Sequence, residues 1–479
     1  MVAQSAARIL VASNRGPVSY SLDEAGTLTA KRGGGGLVSG LSAIGPDAGA
    51  VWVCAAMSEG DREAVRRGEG DPQVRMLGIE PDVFAAAYNS IANSVLWFVH
   101  HLLFQTHLEP LLDEDFRQDW ASYETYNAAF ADALAQEAAD GATVLVQDYH
   151  LSLAPGMLRE RRPDLRIGHF SHTPWAPPDY YRLLPDDIGA QLLTGILGAD
   201  RAAFLTRRWA EAFAACCADV LGATVAHDDA GELTVTHEGR TTRIGVHGLG
   251  ADGDFLRERS HEPDVEQRLA TLRSEIGPGR RTIVRVDRTE LSKNIVRGFL
   301  AYRQLLTEHP EWHERVIHIA FAYESRHDLA VYREYTAEVQ RVADEINAEF
   351  GTAGWQPLLL HVKDDFARSL AAYRIADVAL VNPIRDGMNL VAKEIPVVSD
   401  DGVVLVLSRE AGAYEELGDD SLVVNPYDIR ATAHALHEAL TLGEDDRTER
   451  TKRLAAAATA LPPAAWFLAQ LNALGSDLD

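Results

Sequence analysis

A ten-residue segment, 385–394, has the residue types of a site for phosphates and sugar hydroxyls. An apolar run at 378–381 precedes it, the chain turns at Asp386 and Gly387, and a helix is predicted to begin directly after the turn. A helix start offers backbone N–H groups and the positive end of the helix dipole, which together hold a diphosphate well. Glu394, about two turns into this helix, is a carboxylate that can accept both hydroxyls of a ribose. The segment therefore indicates a nucleotide-sugar site.

A second charged group follows an apolar run in the second half of the chain. Arg288 and Lys293 lie in segment 287–294, and two cations in a loop after a strand can flank one diphosphate and stabilise it as a leaving group. The alternative is an ordinary surface pair, neutralised by Asp287 and Glu290. These residues alone leave both interpretations open.

Further phosphate and ring contacts are expected from residues elsewhere in the chain. Arg15 follows the first predicted strand, and a cation buried there would require an anion. Four consecutive glycines at 33–36 let the backbone approach a phosphate, although a plain turn is the alternative. Arg326 could bind a phosphate or belong to a helix cap. Tyr88 and Trp97 lie among polar neighbours, and core packing is their alternative role.

Two polar side chains after other predicted strands suit hydrogen bonds to sugar hydroxyls: Asp148 and His172. A metal site built from His150, His169 and His172 is the alternative. Their spacing matches no recognised ligand pattern, so we predict no metal.

The elements that must position these residues alternate between apolar strands and amphipathic helices, the pattern of parallel sheets covered by helices. The predicted strands are 8–13, 51–53, 143–147 and 166–170, then 281–286, 316–321, 357–361, 378–381 and 403–407. Predicted helices include 81–87, 123–139, 153–161 and 207–221. We expect an α/β protein of two doubly wound Rossmann-like domains, 1–250 and 251–460, with a C-terminal helix in 461–479 packing back on the first. Ligands of such sheets bind outside the carboxyl ends of the strands, so the site is expected in a cleft that the domains face.

Composition excludes several classes of partner. The 479 residues carry a formal net charge of −26, with 46% hydrophobic and 24% charged residues, as in a soluble globular protein that avoids nucleic acid and anionic membranes. The three cysteines imply no disulfide framework, which fits a reducing cytoplasm. The first seven residues lack a signal-peptide pattern, and no apolar run is expected to reach the roughly 18 residues of a membrane span.

Taken in order, these segments resemble the trehalose-6-phosphate synthases, a family of retaining glycosyltransferases, from about residue 9 to residue 427. The resemblance rests on residues 13–15, 35–37, 88–89, 97, 148–150, 172–175, 288, 293, 325–326, 385–394 and 424–427. It implies the two-domain glycosyltransferase-B fold, without a catalytic metal or a required cofactor. The implied substrates are small molecules: a nucleotide-glucose donor and glucose 6-phosphate.

By the resemblance, the second domain binds the donor and the first binds the acceptor. The implied catalytic side chains, which hold the diphosphate and the transferred glucose, are Arg288, Lys293, Asp386 and His172. The implied donor contacts are Gly35, Gly36, Gly387, Met388, Asn389, Leu390, Val391 and Glu394. The implied acceptor contacts are Arg15, Tyr88, Trp97, Asp148 and Arg326.

The chemistry implied is a front-face substitution that gives α,α-trehalose 6-phosphate without an enzyme nucleophile. The chain departs from the family pattern at Ala55, where a second tryptophan is usual, at Ala176, and at 289–294, where Thr-Glu-Leu-Ser-Lys-Asn replaces Leu-Asp-Tyr-x-Lys-Gly. Such changes are similar to actinobacterial members of the family, some of which prefer GDP-glucose to UDP-glucose, and this favours GDP-glucose here.

Two alternative functions fit the same motifs. One is a pseudo-glycosyltransferase that couples cyclitols, and the other is a non-catalytic sensor of sugar phosphates. The charged residues Arg288, Lys293, Asp386 and Glu394 are all present, which favours a true transferase. The family often forms dimers or tetramers, so a homo-oligomer is compatible with the resemblance.

Overall fold

The chain folds into two units, each built around a sheet of mainly parallel strands. The computed structural model describes residues 6–33, 50–326 and 329–475, and the chain divides into one unit of Met1–Gly248 with Pro463–Asp479 and another of Leu249–Pro462. The first unit's described strands are β1 Ala7–Ala12, β2 Val18–Leu22, β3 Leu28–Arg32, β4 Ala50–Ala55, β5 Val74–Leu77, β6 Ala138–Gln147, β7 Arg166–Ser171, β8 Arg201–Phe204, β9 Thr224–His227, β10 Leu233–His237 and β11 Arg240–Val246.

Nine of these strands form one sheet in the order β5-β4-β1-β6-β7-β8-β11-β10-β9, and β2 pairs with β3 in a separate hairpin. Every pair from β5 to β11 is parallel, while β10 runs antiparallel to both of its neighbours. The chain adds β4 and β5 on one side of β1 and then crosses to β6 on the other. The loops after β1 and β6 therefore diverge, which leaves a ligand-binding crevice at this switch point.

Helices of the first unit cover the faces of this sheet. The described helices are Glu59–Arg67, Pro81–Ala85, Ala86–Leu96, Trp97–His101, Glu114–Glu137, Ala154–Arg161, Pro178–Tyr181, Asp186–Leu197, Arg207–Leu221 and Pro463–Ala473, with a single 3₁₀ turn at Tyr149–Leu151. The segments from 81 to 101 are continuous, and the middle one, Ala86–Leu96, is π-helical. Such wide turns are uncommon and often lie at functional sites.

The second unit repeats the same topology in a smaller, fully parallel sheet. Its described strands are β12 Arg281–Arg288, β13 Val316–Tyr323, β14 Leu358–His361, β15 Val378–Val381, β16 Val404–Ser408 and β17 Leu422–Val424. Their order is β14-β13-β12-β15-β16-β17, so the switch point lies between β12 and β15. The strands are apolar almost throughout because helices bury both faces.

The described helices of the second unit are Gly253–Arg259, Pro263–Ile276, Ile295–Glu308, Ala330–Phe350, Phe366–Arg374, Leu390–Val398, Tyr414–Leu417, Ile429–Thr441 and Glu444–Ala458. Short 3₁₀ turns lie at Leu291–Lys293, Pro310–Trp312 and Gly418–Asp420. The core joins the helix Ile295–Glu308 to the central strands through Phe299, Leu305, Ile283 and Leu380, all fully buried. The prediction of an α/β protein with two Rossmann-like doubly wound sheets is confirmed.

One C-terminal stretch has the composition of a membrane span, contrary to our expectation that no segment would. Glu444–Ala473 contains an 18-residue window of mean hydropathy 1.3, raised by its alanines. The helix ends at Ala458, however, and a second begins at Pro463. Leu454 is buried in the second unit, and Trp466 is buried in the first, where it contacts Phe170. Packing of the two helices into protein cores accounts for their apolar character.

Candidate active site

The turn after β15 is held by backbone hydrogen bonds from the segment 410–413. Gly412 and Ala413 donate their amides to the carbonyls of Asp386 and Met388 (3.1 and 2.7 Å), and Asp386 donates to Glu410 (3.2 Å). A Cβ atom at Gly412 would lie 1.9 Å from the carbonyl oxygen of Gly387. Only glycine permits this approach, so Gly412 fixes the turn although no motif singled it out.

The helix Leu390–Val398 begins with backbone donors exposed at this turn. Asn389 has a left-handed backbone (φ 77°), and its side-chain oxygen accepts the amide of Ala392. Among the described residues, no group accepts from the amides of Met388, Leu390 or Val391. These donors and the helix dipole form an anion site of the kind that binds phosphate.

Lys293 lies next to this anion site. Its Nζ donates to Asp386 Oδ2 at 2.5 Å, and Asn389 Nδ2 donates to the same carboxylate at 3.1 Å. Burial acts to lower the pKa of Lys293, but the carboxylates of Asp386 and Asp287 outweigh it and leave the pKa above its ordinary value. The side chain is therefore a fixed ammonium group at neutral pH, with further N–H donors available for a phosphate.

Arg288 lies in a different environment from Lys293. Its side chain is 56% exposed, and its ion pair is with Glu290, at 3.7 Å. Glu290 is fully buried and accepts hydrogen bonds from Ser325 and Tyr332. Arg326, with a left-handed backbone (φ 49°), lies 3.5 Å from the same carboxylate. The structure thus places Arg288 and Arg326 around Glu290. Lys293 lies instead at the turn of segment 385–394.

Glu394 is partly buried on the first turns of the helix. Its one hydrogen bond among the described residues comes from the hydroxyl of Tyr373, at 3.4 Å. Burial raises the pKa of Glu394 above its ordinary value, with the Tyr373 hydroxyl opposing the rise. The carboxylate therefore retains acceptor positions for the hydroxyls of a sugar.

In the first unit, Asp148 and His172 lie together at the ends of β6 and β7. Asp148 has a left-handed backbone (φ 73°), and its Oδ1 accepts the backbone amide of His172 at 3.2 Å. The His172 Nε2 contacts Gln147 Oε1 at 2.9 Å. Burial lowers the pKa of His172 despite the opposing field of Asp148, so the imidazole is neutral at pH 7. A neutral ring can serve a sugar hydroxyl as a hydrogen-bond partner.

Tyr88 and Trp97 extend from the helical segment 81–101 toward the same loop. Tyr88 stacks on His150 (centroids 5.6 Å apart, planes inclined by 17°), and Trp97 packs against Tyr149 at 5.8 Å. Both side chains are partly buried, so each keeps an exposed edge. The structure therefore brings Tyr88, Trp97, Asp148 and His172 together through the segment 147–150.

The expectation that Arg15 is a buried cation was wrong. Its side chain is exposed and has no ion pair with any residue that the structure describes, because the strand β1 ends three residues earlier. Its neighbours Ser13 and Asn14 are buried instead; Trp52 donates to the Ser13 hydroxyl (2.7 Å) and Tyr126 to Asn14 Oδ1 (2.5 Å). Arg15 is thus exposed on a backbone whose neighbouring residues are held in place. Gly35 and Gly36 lie outside the described residues.

The departure at Asn294 has a local physical explanation. Asn294 has φ 59°, a conformation in which asparagine is tolerated better than other side chains apart from glycine. Its amide also donates to the carbonyls of Asn382 and Pro426. Ala55 is buried at the end of β4, where its amide donates to the Asn14 carbonyl. Asn294 therefore preserves the backbone turn that glycine would make.

One group of possible metal ligands lies elsewhere in the second unit, formed by His309, Glu311 and His437. The two imidazoles are stacked 3.6 Å apart with planes inclined by only 9°, so their lone pairs do not converge. Trp312 Nε1 donates to His437 Nδ1 at 3.1 Å, which places the proton of neutral His437 on Nε2. The Nδ1 lone pair of His437 is therefore already used by the Trp312 donor and is not available to a metal ion.

Comparison with known proteins places this geometry in a family context. A family model described as "Glycosyltransferase family 20" matches residues 7–475. The chain is 32% identical over 479 residues to an α,α-trehalose-phosphate synthase [UDP-forming] of Aspergillus niger, covering 97% of each chain. It is also 33% identical over 462 residues to a bifunctional trehalose-6-phosphate synthase/phosphatase of Thermoproteus tenax, which covers 93% of this chain but only 60% of that protein's length.

Solved structures resemble the whole chain. A trehalose-6-phosphate synthase from E. coli bound with UDP-2-fluoro glucose has a TM-score of 0.85 at 28% identity, covering 98% of this chain and 99% of that one. A UDP-forming synthase from Burkholderia xenovorans in complex with glucose-6-phosphate has a TM-score of 0.84 at 26% identity, covering 98% and 100%. These similarities confirm the glycosyltransferase-B fold that the motifs implied.

Proposed function

Because this chain belongs to glycosyltransferase family 20, we propose that it transfers glucose from a nucleotide-glucose to glucose 6-phosphate, giving α,α-trehalose 6-phosphate. The observation that carries the proposal is the Lys293–Asp386 pair, which stands at a helix start with available backbone donors. A cation and amide groups suit the donor diphosphate, and a carboxylate suits the hydroxyls of its glucose. Relatives at 32–33% identity carry the same synthase activity in their names.

On the donor side, Lys293 and the amides that follow Gly387 bind the diphosphate, and Glu394 accepts the ribose hydroxyls. Arg288 is the second diphosphate ligand in this proposal. Its exposed guanidinium, 56% accessible, is available to a ligand because the pair with Glu290 is long at 3.7 Å. Asp386 contacts hydroxyls of the transferred glucose in this proposal, and its Oδ2 accepts hydrogen bonds from Lys293 and Asn389.

On the acceptor side, Arg15, Tyr88 and Arg326 bind the phosphate of glucose 6-phosphate. Trp97 and Asp148 contact the sugar ring, and His172 contacts the glucose that is transferred. The stacked and hydrogen-bonded positions of Tyr88, Asp148 and His172 support this assignment. The complex of the Burkholderia xenovorans relative with glucose-6-phosphate supports the choice of acceptor.

The proposed reaction is a front-face substitution in which the bond from the glucose C1 to the diphosphate breaks ahead of the new bond. The acceptor hydroxyl attacks C1 from the same face, and its proton passes to an oxygen of the departing diphosphate. No side chain forms a covalent intermediate. The protein contributes positioning, and it stabilises the charge that develops on the leaving group.

The nucleotide of the proposed donor is UDP or GDP. The departures that favoured GDP-glucose include Asn294, which the backbone turn explains, and Thr289 and Glu290, which are buried. These positions therefore carry no information about the base. The relatives' names contain "UDP-forming", and we infer that UDP-glucose is at least as good a donor as GDP-glucose.

One assay tests the proposal. Purified protein is incubated with glucose 6-phosphate and either UDP-glucose, GDP-glucose or ADP-glucose, and the disaccharide phosphate is detected by mass spectrometry together with the released nucleotide. We expect α,α-trehalose 6-phosphate from at least one donor. Formation of no disaccharide phosphate from any donor would contradict the proposal. Nucleotide-sugar binding without turnover would favour the sensor, and coupling of a cyclitol would favour the pseudo-glycosyltransferase.

Two broader expectations accompany this function. The three cysteines are all free, and each is buried. Location in the cytoplasm and assembly into a homo-oligomer are proposals that rest on the sequence and the resemblance. Light scattering of the purified protein measures the second directly.

A further inference from the structure

We propose that Arg285, which no motif singled out, is a positioning residue that holds Lys293 in its diphosphate-binding position. The inference rests on the proposed function and assigns the residue that shapes its donor site. Arg285 lies in the middle of β12, between the apolar residues Val284 and Val286. It is only 1% exposed, which is rare for a charged side chain.

Burial of this guanidinium has a free-energy cost that an apolar side chain would avoid. The flanking strand positions are aliphatic, and replacement of buried ionic groups by apolar ones is often neutral or stabilising. Stability alone therefore gives little reason for an arginine at this position. An arginine is explained if its role is to fix a particular arrangement of its neighbours.

The contacts of Arg285 identify that arrangement. Nη2 donates to the backbone carbonyl of Lys293 at 3.0 Å and to Asp287 Oδ2 at 2.7 Å, while Nε also donates to Asp287 at 3.2 Å. Nη1 donates to Asn382 Oδ1 at 3.2 Å and lies 3.5 Å from the carbonyl of Ile295. All three nitrogens of one rigid fork are used.

These partners belong to both sides of the second unit's switch point. Asp287 lies at the end of β12 and Lys293 follows this strand, whereas Asn382 follows β15 and leads into the turn at Asp386 and Gly387. The side-chain amide of Asn382 also donates to the backbone carbonyl of Asn294 at 3.3 Å, and the side-chain amide of Asn294 donates to that of Asn382 at 2.9 Å. The amide of Ile384 donates to Ser292. Arg285 thus ties the loop that carries Lys293 to the segment that carries Asp386.

The space for Arg285 is made by Gly298 in the following helix. A Cβ atom at this position would lie 2.3 Å from Arg285 Nη1 and 3.2 Å from Asn382 Oδ1. Glycine inside a helix is destabilising relative to alanine. Its presence in the helix Ile295–Glu308 is explained by the guanidinium that it accommodates.

The test is a double-mutant cycle between Arg285→Met and Lys293→Ala, with UDP and GDP as probes in titration calorimetry. If Arg285 acts through Lys293, Arg285→Met weakens nucleoside-diphosphate binding about 10-fold in the wild-type background but less than about 2-fold when Lys293 is alanine. Arg285→Lys is expected to remain within about 3-fold of Arg285→Met, since one ammonium cannot replace a fork with five bonds.

Arg281→Met is the matched control. Arg281 lies four residues earlier in the same strand and pairs with Asp377 at 2.6 Å, away from Lys293. We expect it to change nucleotide binding less than about 2-fold in both backgrounds, even if the melting temperature falls. Thermal melts of each variant exclude loss of folded protein as the cause.

The outcomes separate this inference from the proposed function. Equal weakening by Arg285→Met in both backgrounds, or no weakening in either, would overturn the positioning role. Should Arg285→Met fail to fold, Gly298→Ala displaces the guanidinium without removing it, and the same cycle with Lys293→Ala decides. A wild-type protein that binds neither UDP nor GDP and makes no disaccharide phosphate would instead defeat the proposed function.

Discussion

The switch points of the two units share one strand order but differ in the chemistry that they present. In the first unit, the loops after β1 and β6 display aromatic and neutral polar groups, with Asp148 and the exposed Arg15 as their charges. In the second, the end of β12 and the loops after β12 and β15 contain paired cations and carboxylates, centred on Lys293 and Asp386. The same backbone framework thus carries two different sites.

The difference follows from what each site is proposed to stabilise. A leaving diphosphate gains negative charge during the reaction, so fixed cations and amide dipoles lower the barrier. An acceptor sugar keeps its charge, so hydrogen bonds, ring contacts and cations at its phosphate are sufficient to bind it. We therefore expect loss of a cation that contacts the leaving diphosphate to affect turnover, and loss of an acceptor contact such as Arg15 to affect acceptor binding.

Replacement of Lys293 by alanine gives the largest expected effect. The ammonium contacts the leaving group, and loss of such a donor raises the barrier by roughly 2–4 kcal/mol, or about 100-fold or more in turnover. Lys452→Ala, which removes an exposed lysine paired with Glu449, is the control and should leave turnover unchanged. Near-normal turnover of Lys293→Ala would show that this cation does not stabilise the leaving group, which is the proposed difference between the two units.

Arg15→Ala tests the acceptor side. We expect the KM for glucose 6-phosphate to rise about 10- to 30-fold with turnover changed less than about 3-fold, because a charge-assisted phosphate contact is lost from the ground state and the transition state alike. Steady-state kinetics with varied acceptor measures this. Arg8→Ala, at an exposed position in the preceding strand β1, is the control. A fall in turnover of the size expected for Lys293 would contradict the division of roles.

Glu394→Gln tests the proposed ribose contact on the donor side. The carboxylate is expected to accept two ribose hydroxyls, and an amide accepts them more weakly, so the donor KM should rise about 5- to 10-fold. Turnover should change little because the ribose is remote from the reacting bond. Comparison of the nucleotide-glucose with its 2′-deoxyribose analogue provides the check: the wild type should discriminate between them and the variant should not.

Acid stability of the first unit depends on His169, a fully buried residue of β7. Burial lowers its pKa to about 4, below the ordinary value of 6.5, so the unfolded chain binds a proton that the folded unit does not between those pH values. Stability is therefore intact above pH 6.5 and is lost as the pH falls toward 4. In His169→Gln, the fall in melting temperature between pH 6.5 and 4.5 should be smaller by about 2–4 °C.

Asn294→Gly gives the smallest expected change in activity. Glycine adopts the same left-handed backbone, so Lys293 stays in place and turnover should remain within about 3-fold. The melting temperature should fall by a few degrees, since two buried hydrogen bonds of about 1 kcal/mol each are removed. A large fall in turnover would show that Asn294 contacts the ligand rather than the backbone alone.

Prediction from the sequence was effective where burial and local turn chemistry leave a pattern. The central strands of both sheets were predicted within a few residues because each is a continuous apolar run. The hairpin of β2 and β3 and the antiparallel strands β9 and β10 were missed, since they are short, polar and partly exposed. The helix predicted from residue 123 begins at Glu114, where Asp113 provides the cap.

The sequence by itself determined the two Rossmann-like sheets and the strand ends at which chemistry-bearing residues stand, because side-chain periodicity records which faces are buried. It did not determine their partners. Lys293 bonds Asp386, which is 93 residues away in the sequence, and Arg285 bonds Asn382, which is 97 residues away. Gly412 leaves space for the backbone turn at Gly387. Only the tertiary structure decided these contacts, because they depend on how separate loops pack at one sheet edge, and residue spacing along the chain does not encode that distance.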